Sequence, residues 1–206
     1  MYIVVAGNIG SGKTTLTRLL AKHYGWEPRI EPVEFNPYMD DYYRDIQRWS
    51  FNMEVFFLKE RFHDLLEIER SEKTIIQDRS IYEGVYVFAA TNKAMGNMSD
   101  RDYDTYMELF GSMMMIARQP DLIIYLRASV AHLVENIQKR GRDYEQTIQL
   151  DYLKQLNNRY EDFIFNQYNG RRLVVEKDGI DFANNRHDLA TIIDHIDAEL
   201  FGLFSN

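Results

Sequence analysis

The stretch Gly7-Asn-Ile-Gly-Ser-Gly12-Lys13-Thr14 meets the spacing Gly-x-x-x-x-Gly-Lys-Ser/Thr in full, and no other feature of the 206 residues constrains the fold as strongly. Its surroundings give the pattern meaning. The run Tyr2–Ala6 before it is β-branched and bounded by glycine, which reads as a buried strand. Lys13–Tyr24 after it carries Leu16, Leu19 and Leu20 at helical spacing, with Gly25 placed to end the helix. A glycine-rich turn between strand and helix lets successive N–H groups point at one phosphate. The helix N-terminus adds favourable partial charge, ~0.3–1 kcal/mol at exposed sites. Gly7, Asn8, Ile9, Gly10, Ser11, Gly12, Lys13, Thr14 and Thr15 are therefore expected to cradle a nucleoside triphosphate. Lys13 would neutralise the β/γ-phosphates and the Thr14 hydroxyl would hold Mg²⁺. A glycine turn with no ligand is the plainer alternative, and the strand–loop–helix context weighs against it.

The rest of the chain repeats the same alternation of short apolar runs and helical patterns. Strands are expected at Trp26–Ile30, Thr74–Gln77, Leu122–Leu126 and Leu173–Glu176. Helices are expected over residues 40–70, Tyr82–Ala90, from Ser99 to Pro120, over Val130–Lys139, over 149–167 and over Asp188–Leu203. Ser99-Asp-Arg-Asp102 has capping-box spacing, and Arg140–Gln146 is polar and lidlike. Thr91-Asn-Lys-Ala94 reads as loop. Strands alternating with helices predict an α/β, three-layer fold around a parallel sheet covered on both faces. No repeat or linker divides the chain, so residues 1–206 are expected to form a single domain with a lid at about 140–147.

In an open parallel sheet, ligands sit beyond the carboxyl ends of the strands. The phosphate loop follows strand one, Glu31 follows strand two, and Asp78-Arg79 follows strand three, so all should face one cleft. A carboxylate near a γ-phosphate repels it, and the natural reason for Glu31 is to accept the proton of an attacking hydroxyl, a role worth ~10²–10⁴ in rate. A solvated strand-end carboxylate is the bland alternative. Asp78 could bind Mg²⁺, and Arg79 could hold the acceptor or stabilise developing charge; a helix cap followed by a surface arginine is the alternative there. Arg140-Gly-Arg142 lies where a lid can close on a triphosphate, and guanidinium forks suit phosphate oxygens.

Taken in order, Gly7–Thr14, Glu31-Pro32-Val33, Arg48-Trp-Ser-Phe51 running to Arg61, Asp78-Arg79-Ser80 and Arg140-Gly-Arg-Asp-Tyr-Glu145 resemble the deoxynucleoside kinase family, close to its bacterial deoxyadenosine/deoxyguanosine kinase members. The resemblance runs from residue 2 to about residue 178. It implies a P-loop NTPase-like fold with a five-stranded parallel sheet, a short lid and a homodimer packed through helices, the one beginning at Ser99 being a candidate surface. It further implies ATP as donor, with Mg²⁺. Carried over residue by residue, Glu31 matches the general base for the 5′-hydroxyl, Arg79 the arginine beside it, and Asp78 an acidic position linked to Mg²⁺. Tyr43 and lid Glu145 match the pair on the sugar 3′-hydroxyl, Phe88 an aromatic that stacks on the base, and Arg140 and Arg142 the lid arginines. Asp178 falls roughly where the family contacts the donor adenine.

Two positions depart from the family pattern. Glu54 stands where glutamine is usual, and Gly84 where many members have an aspartate that pairs with the arginine matched by Arg61. Glu54 and Arg61 are seven apart on one expected helix, two turns or ~10.5 Å of rise. Glu54 is therefore expected to balance Arg61 in place of the missing aspartate. A glutamine amide donates or accepts, whereas an ionised carboxylate only accepts, so Glu54 should favour guanine's N1–H and N2–H₂ donors, with thymine second.

The resulting expectation is ATP-dependent phosphorylation of the 5′-hydroxyl of a deoxynucleoside, purine favoured and deoxyguanosine first, in nucleotide salvage. A nucleoside monophosphate kinase and a non-catalytic nucleotide-binding regulatory protein are the alternatives. The former would want basic residues where Glu31 and Glu54 sit. A net charge of −8 argues against a broad grip on nucleic acid, and the absence of cysteine removes thiolate chemistry. No apolar stretch reaches the ~18 residues of a membrane span. A cytoplasmic setting is expected.

Overall fold

The computed structural model describes residues 1–31, 36–142 and 148–202. Strands β1 (Tyr2–Gly7), β2 (Glu27–Arg29), β3 (Ile75–Asp78), β4 (Leu122–Arg127) and β5 (Arg172–Glu176) form one parallel sheet in the order β2-β3-β1-β4-β5. The central strand β1 is buried along its whole length, which is why it reads as an unbroken apolar run. Alternate residues leave it for opposite faces. Ile3 and Val5 pack with Leu16 and Leu20 of helix α1 (Lys13–Tyr24) and with Ile192 and Ile196 of the C-terminal helix (Arg186–Phe201). Tyr2, Val4 and Ala6 face the other way, onto Leu58, Leu65, Tyr106, Leu156 and Tyr160.

The expected helix over 40–70 is two helices, α2 (Met39–Arg44) and α3 (Ile46–Arg70), separated at Asp45. Asp45 leaves helical geometry at φ −146° and its side chain accepts from the Arg48 N–H, so the break is a capped N-terminus. The helix after β3 is also longer than its pattern. It begins as α4 (Ile81–Glu83), widens into a π-helical stretch (Gly84–Ala89) and ends as α5 (Ala90–Ala94). Thr91-Asn-Lys-Ala94 is thus helical, not loop, and Asn92 is fully buried. Helices α6 (Asp100–Met114), α7 (Val130–Arg140), α8 (Leu150–Asp162) and α9 (Arg186–Phe201) complete the layers, with Ser99 capping α6 as its sequence predicts.

This topology fixes the cleft. Strand order reverses between β1 and its neighbours β3 and β4, and the loops after β1, β2 and β3 open at the same sheet edge. No helix among the described residues is long and apolar enough to cross a membrane.

Candidate active site

The phosphate loop takes the geometry its glycines allow. Gly7, Gly10 and Gly12 have φ of 150°, 84° and 93°, values an L side chain adopts only with strain. Asn8 holds the loop from beneath: its amide donates to Leu153 O (3.1 Å) and Asn157 Oδ1 (2.6 Å) on α8, and its own Oδ1 accepts from the Ile9 N–H. Asn136 of α7 donates to Gly10 O. Lys13 Nζ rests on Asn8 O at 2.9 Å. Burial, with the Arg79 charge beside it, lowers the Lys13 ammonium to about 8.

Gly10 is the most demanding of these positions. A Cβ there would stand 2.8 Å from Leu133 O and 3.0 Å from Ile137 Cγ1, in addition to the positive φ. Gly10→Ala is expected to cost about 1–2 kcal/mol and to raise the KM for the phosphate donor, because the loop must leave α7. Urea unfolding together with donor saturation curves checks this; wild-type values for both would refute it.

Beside the loop, a cavity of about 400 Å³ is lined by Lys13, Thr14, Glu31, Tyr43, Glu54, Arg61, Asp78, Arg79, Phe88, Arg140 and Arg142. The residues singled out from strand ends, from α3 and from the end of α7 therefore line one cavity. A second cavity, about 690 Å³, runs from Gly12, Thr14 and Thr15 past Arg140 and Arg142 to Lys177 and Phe182. The loop, Arg140 and Arg142 border both.

Glu31 sits between two guanidiniums. It forms an ion pair with Arg61, and Arg79 Nη1 lies 2.9 Å from its other oxygen, all three side chains being nearly buried. Burial works to raise the Glu31 carboxyl, but Arg79 and then Arg61 outweigh it and hold the group below the usual carboxylate range. Arg61 is thus balanced by Glu31, and no ion pair among the described residues joins it to Glu54. The expected Glu54–Arg61 pairing is corrected on this point. Gly84 explains the geometry: a Cβ there would collide with Arg61 Nη1, so the missing side chain is the space that the guanidinium occupies. Glu54 instead accepts a hydrogen bond from Asn92 Nδ2 at 3.0 Å.

Asp78 lies against Thr14, whose Oγ1 donates to Oδ2 at 2.5 Å. Its Oδ1 is buried with no hydrogen-bond partner. A hydroxyl and a carboxylate oxygen left open beside a phosphate loop form the donor set of a hard cation, so the residues fit Mg²⁺. Arg79 stacks over Phe88, 4.4 Å from guanidinium carbon to ring centre, and among the described residues is the non-glycine residue with positive φ, 70°.

Two expectations fall elsewhere. Asp178 borders neither cavity; its Oδ1 accepts from the Ser129 N–H at the start of α7, and its neighbours Lys177, Gly179 and Ile180 face the second cavity in its place. Glu145 lies outside the described residues. Sequence reasoning also missed Glu83 and Asn92. Glu83 is completely buried and accepts from Gly7 N, Ser80 N, Ser80 Oγ and Tyr160 Oη. Ser80-Ile-Tyr-Glu83 is a capping-box sequence, and that signal could have found it. Asn92 lies in Thr91-Asn-Lys-Ala94, expected as loop, and no pattern in that stretch pointed to its burial.

A family model described as deoxynucleoside kinase matches residues 3–201. The chain is 38% identical over 198 residues to the deoxyadenosine/deoxycytidine kinase of Bacillus subtilis, covering 94% of this chain and 90% of that one. It is 34% identical to the deoxyguanosine kinase of the same organism, over 95% of each. Among solved structures, the deoxyadenosine kinase of M. mycoides with products dCMP and dCDP bound superposes with a TM-score of 0.86 at 31% identity, covering 96% of this chain and all of that one.

Proposed function

The chain belongs to the deoxynucleoside kinase family, and on that premise we propose how its own residues divide the work and which acceptor they suit. The phosphate loop, Arg140 and Arg142 take the triphosphate of ATP, and the first cavity takes a purine deoxynucleoside with its 5′-hydroxyl toward Glu31. That oxygen forms a bond to the γ-phosphorus as the bond to the ADP oxygen breaks, and its proton passes to the Glu31 carboxylate. Mg²⁺, held by Thr14 and Asp78, would neutralise the phosphate oxygens. Arg79 stabilises the charge of the transferring group, in a reaction that is mostly positioning and electrostatics. Phe88 offers its ring to the base, Tyr43 a hydroxyl to the sugar, and Glu54 with Arg61 the polar edge that reads the base.

The observation that carries this reading is the placement of Glu31, an ionised carboxylate fixed by two arginines at the wall shared with Lys13 and Thr14. A nucleoside monophosphate kinase would need to seat an acceptor phosphate where Glu31 and Glu54 present negative charge. ADP release from Mg·ATP, measured over the four deoxynucleosides, the ribonucleosides and the deoxynucleoside monophosphates, tests the choice. Turnover with purine deoxynucleosides is expected, abolished by chelating Mg²⁺. Activity confined to monophosphates, or ATP consumption independent of any nucleoside, would overturn it.

Beyond the site, the exposed Leu109, Met115 and Ile116 along and after α6 support a homodimer packed through that helix, testable by light scattering. The absence of cysteine supports a reducing cytoplasm, where a salvage kinase finds ATP.

A further inference from the structure

Glu54 differs from the other carboxylates of the cleft. Glu31 has two arginines and Asp78 has Lys13 nearby, but no ion pair holds Glu54 among the described residues, although the side chain is only 4% exposed. One amide hydrogen bond, from Asn92 to Oε1, orients it. Oε2 takes no hydrogen bond from any described residue, on a side chain that lines the acceptor cavity. Asn92 is fixed in turn, its Oδ1 accepting from Tyr42 Oη at 3.1 Å, and Tyr42 Oη lies 3.3 Å from Tyr152 Oη. A carboxyl so placed is rigid in position and free to gain or lose one proton.

We propose that Glu54, tethered by Asn92, reads the base edge in two protonation states, taking a ring N–H donor as the carboxylate and a ring-nitrogen acceptor as the neutral acid. This rests on the reading of the first cavity as the acceptor nucleoside's site. As a carboxylate, Glu54 only accepts and suits the N1–H of guanine. As a carboxylic acid, it donates one hydrogen bond and accepts another, the pattern a glutamine amide would present, and it suits N1 of adenine or N3 of cytosine with their amino groups. One pocket thereby selects deoxyguanosine at higher pH and deoxyadenosine or deoxycytidine at lower pH.

The surroundings place the change near neutrality. Burial pushes the Glu54 carboxyl up, and the Arg61 charge, the Asn92 hydrogen bond and more distant Arg79 pull it back, while Glu31 pushes it up again, leaving it at about 7. The other titratable groups facing it are tyrosines: Tyr42 from α2, Tyr106 from α6 and Tyr152 from α8. Burial raises all three hydroxyls, Tyr42 to about 12, so they stay neutral while Glu54 titrates. Arg61 and Arg79 stay charged and Glu31 stays ionised. Lys13 does titrate near this range, but it serves the donor phosphates and acts equally on every acceptor.

The test is the ratio of kcat/KM for deoxyguanosine to that for deoxyadenosine between about pH 6 and about pH 8, in which common catalytic groups cancel. The ratio is expected to rise by ~10- to 100-fold, the upper figure being tenfold per unit for one proton. The ratio of deoxyadenosine to deoxycytidine, which share an acceptor nitrogen, is expected to stay flat. Glu54→Gln should make the first ratio flat at the adenine-favouring end, and Asn92→Ala should move the wild-type midpoint to higher pH. A first ratio that is flat in the wild-type enzyme overturns the inference while leaving the kinase intact, as does a slope that survives in Glu54→Gln. Failure to phosphorylate any deoxynucleoside at any pH overturns the underlying reading instead.

Discussion

Glu31→Gln is expected to lower kcat by about 10²- to 10⁴-fold, the usual span for loss of a general base, and to destabilise the fold as well. Both effects follow from one geometry. The carboxylate is the anion between Arg61 and Arg79, so its removal leaves two buried guanidiniums with one negative partner fewer. Breaking a buried ion pair by removing one member costs about 3–5 kcal/mol. Glu31→Asp separates the two consequences. It keeps the charge and most of the stability, but withdraws the oxygen from the attacking hydroxyl by one methylene, so kcat should fall without comparable loss of urea resistance. Rates at saturating donor and acceptor, set beside urea midpoints for both variants, check the pair. A glutamine variant that turns over within threefold of wild type would remove Glu31 from proton transfer.

The pH dependence of stability has a definite sign here. The folded Glu31 carboxyl titrates below its ordinary value, so it contributes stability above the unfolded pKa, about 4.3, and loses that contribution as pH falls through the folded value. Wild type should therefore lose stability in that acid range, and the glutamine variant should show a shallower acid decline. Glu31 is fully ionised at neutral pH, so no acid limb of the rate profile near neutrality belongs to it.

What the sequence made legible were features carried by local chemistry. The strands β1 and β4 announce themselves because both faces are covered, leaving continuous apolar runs. The glycines at 7, 10 and 12 stand where the phosphate loop needs positive φ. Glu31 and Asp78-Arg79 could be placed in one cleft because parallel strands end at one edge. The rest depended on partners far along the chain. Arg61 reaches Glu31, thirty positions earlier, only because Gly84 lacks a side chain, and helical spacing pointed to Glu54 instead. Asn92 was hidden for another reason. The π-helical stretch Gly84–Ala89 shifts the phase of the helix, so a 3.6-residue pattern fades before the segment that buries Asn92 against Glu54. Asp178 sits between residues that face the second cavity, yet its carboxylate accepts from Ser129, beside a turn at Gly179 with φ 80°.

Glu83→Gln should show how far the site depends on a residue that touches neither substrate. Its two oxygens receive four donors: Oε1 takes Gly7 N at 3.3 Å and Tyr160 Oη at 2.9 Å, while Oε2 takes Ser80 N at 2.8 Å and Ser80 Oγ at 3.3 Å. An amide has one accepting atom, so whichever way it turns, its NH₂ group meets a backbone N–H, of Gly7 or of Ser80, that cannot accept, while the hydroxyl beside it can turn to accept. An unsatisfied buried polar group costs about 1–3 kcal/mol, and the variant is expected to lose stability in that range. For a chain of this size, that is about 2–4 °C in Tm per kcal/mol. The functional effect should exceed the structural one. Glu83 joins the first residue of the phosphate loop to the turn that carries Arg79 at φ 70°, a conformation that costs about 1–3 kcal/mol unless its surroundings hold it. Loosening the Ser80 cap lets Arg79 relax and frees the Gly7 N–H at the same time. The KM for ATP should rise and kcat should fall together, by about tenfold for each 1.4 kcal/mol of lost placement, whereas a merely packed side chain would lower Tm and leave both constants alone. Ser80→Ala removes one hydroxyl donor and leaves the backbone bond, so it should reproduce only a small part of the loss. Wild-type KM and kcat in a Glu83→Gln enzyme of reduced Tm would confine this carboxylate to packing.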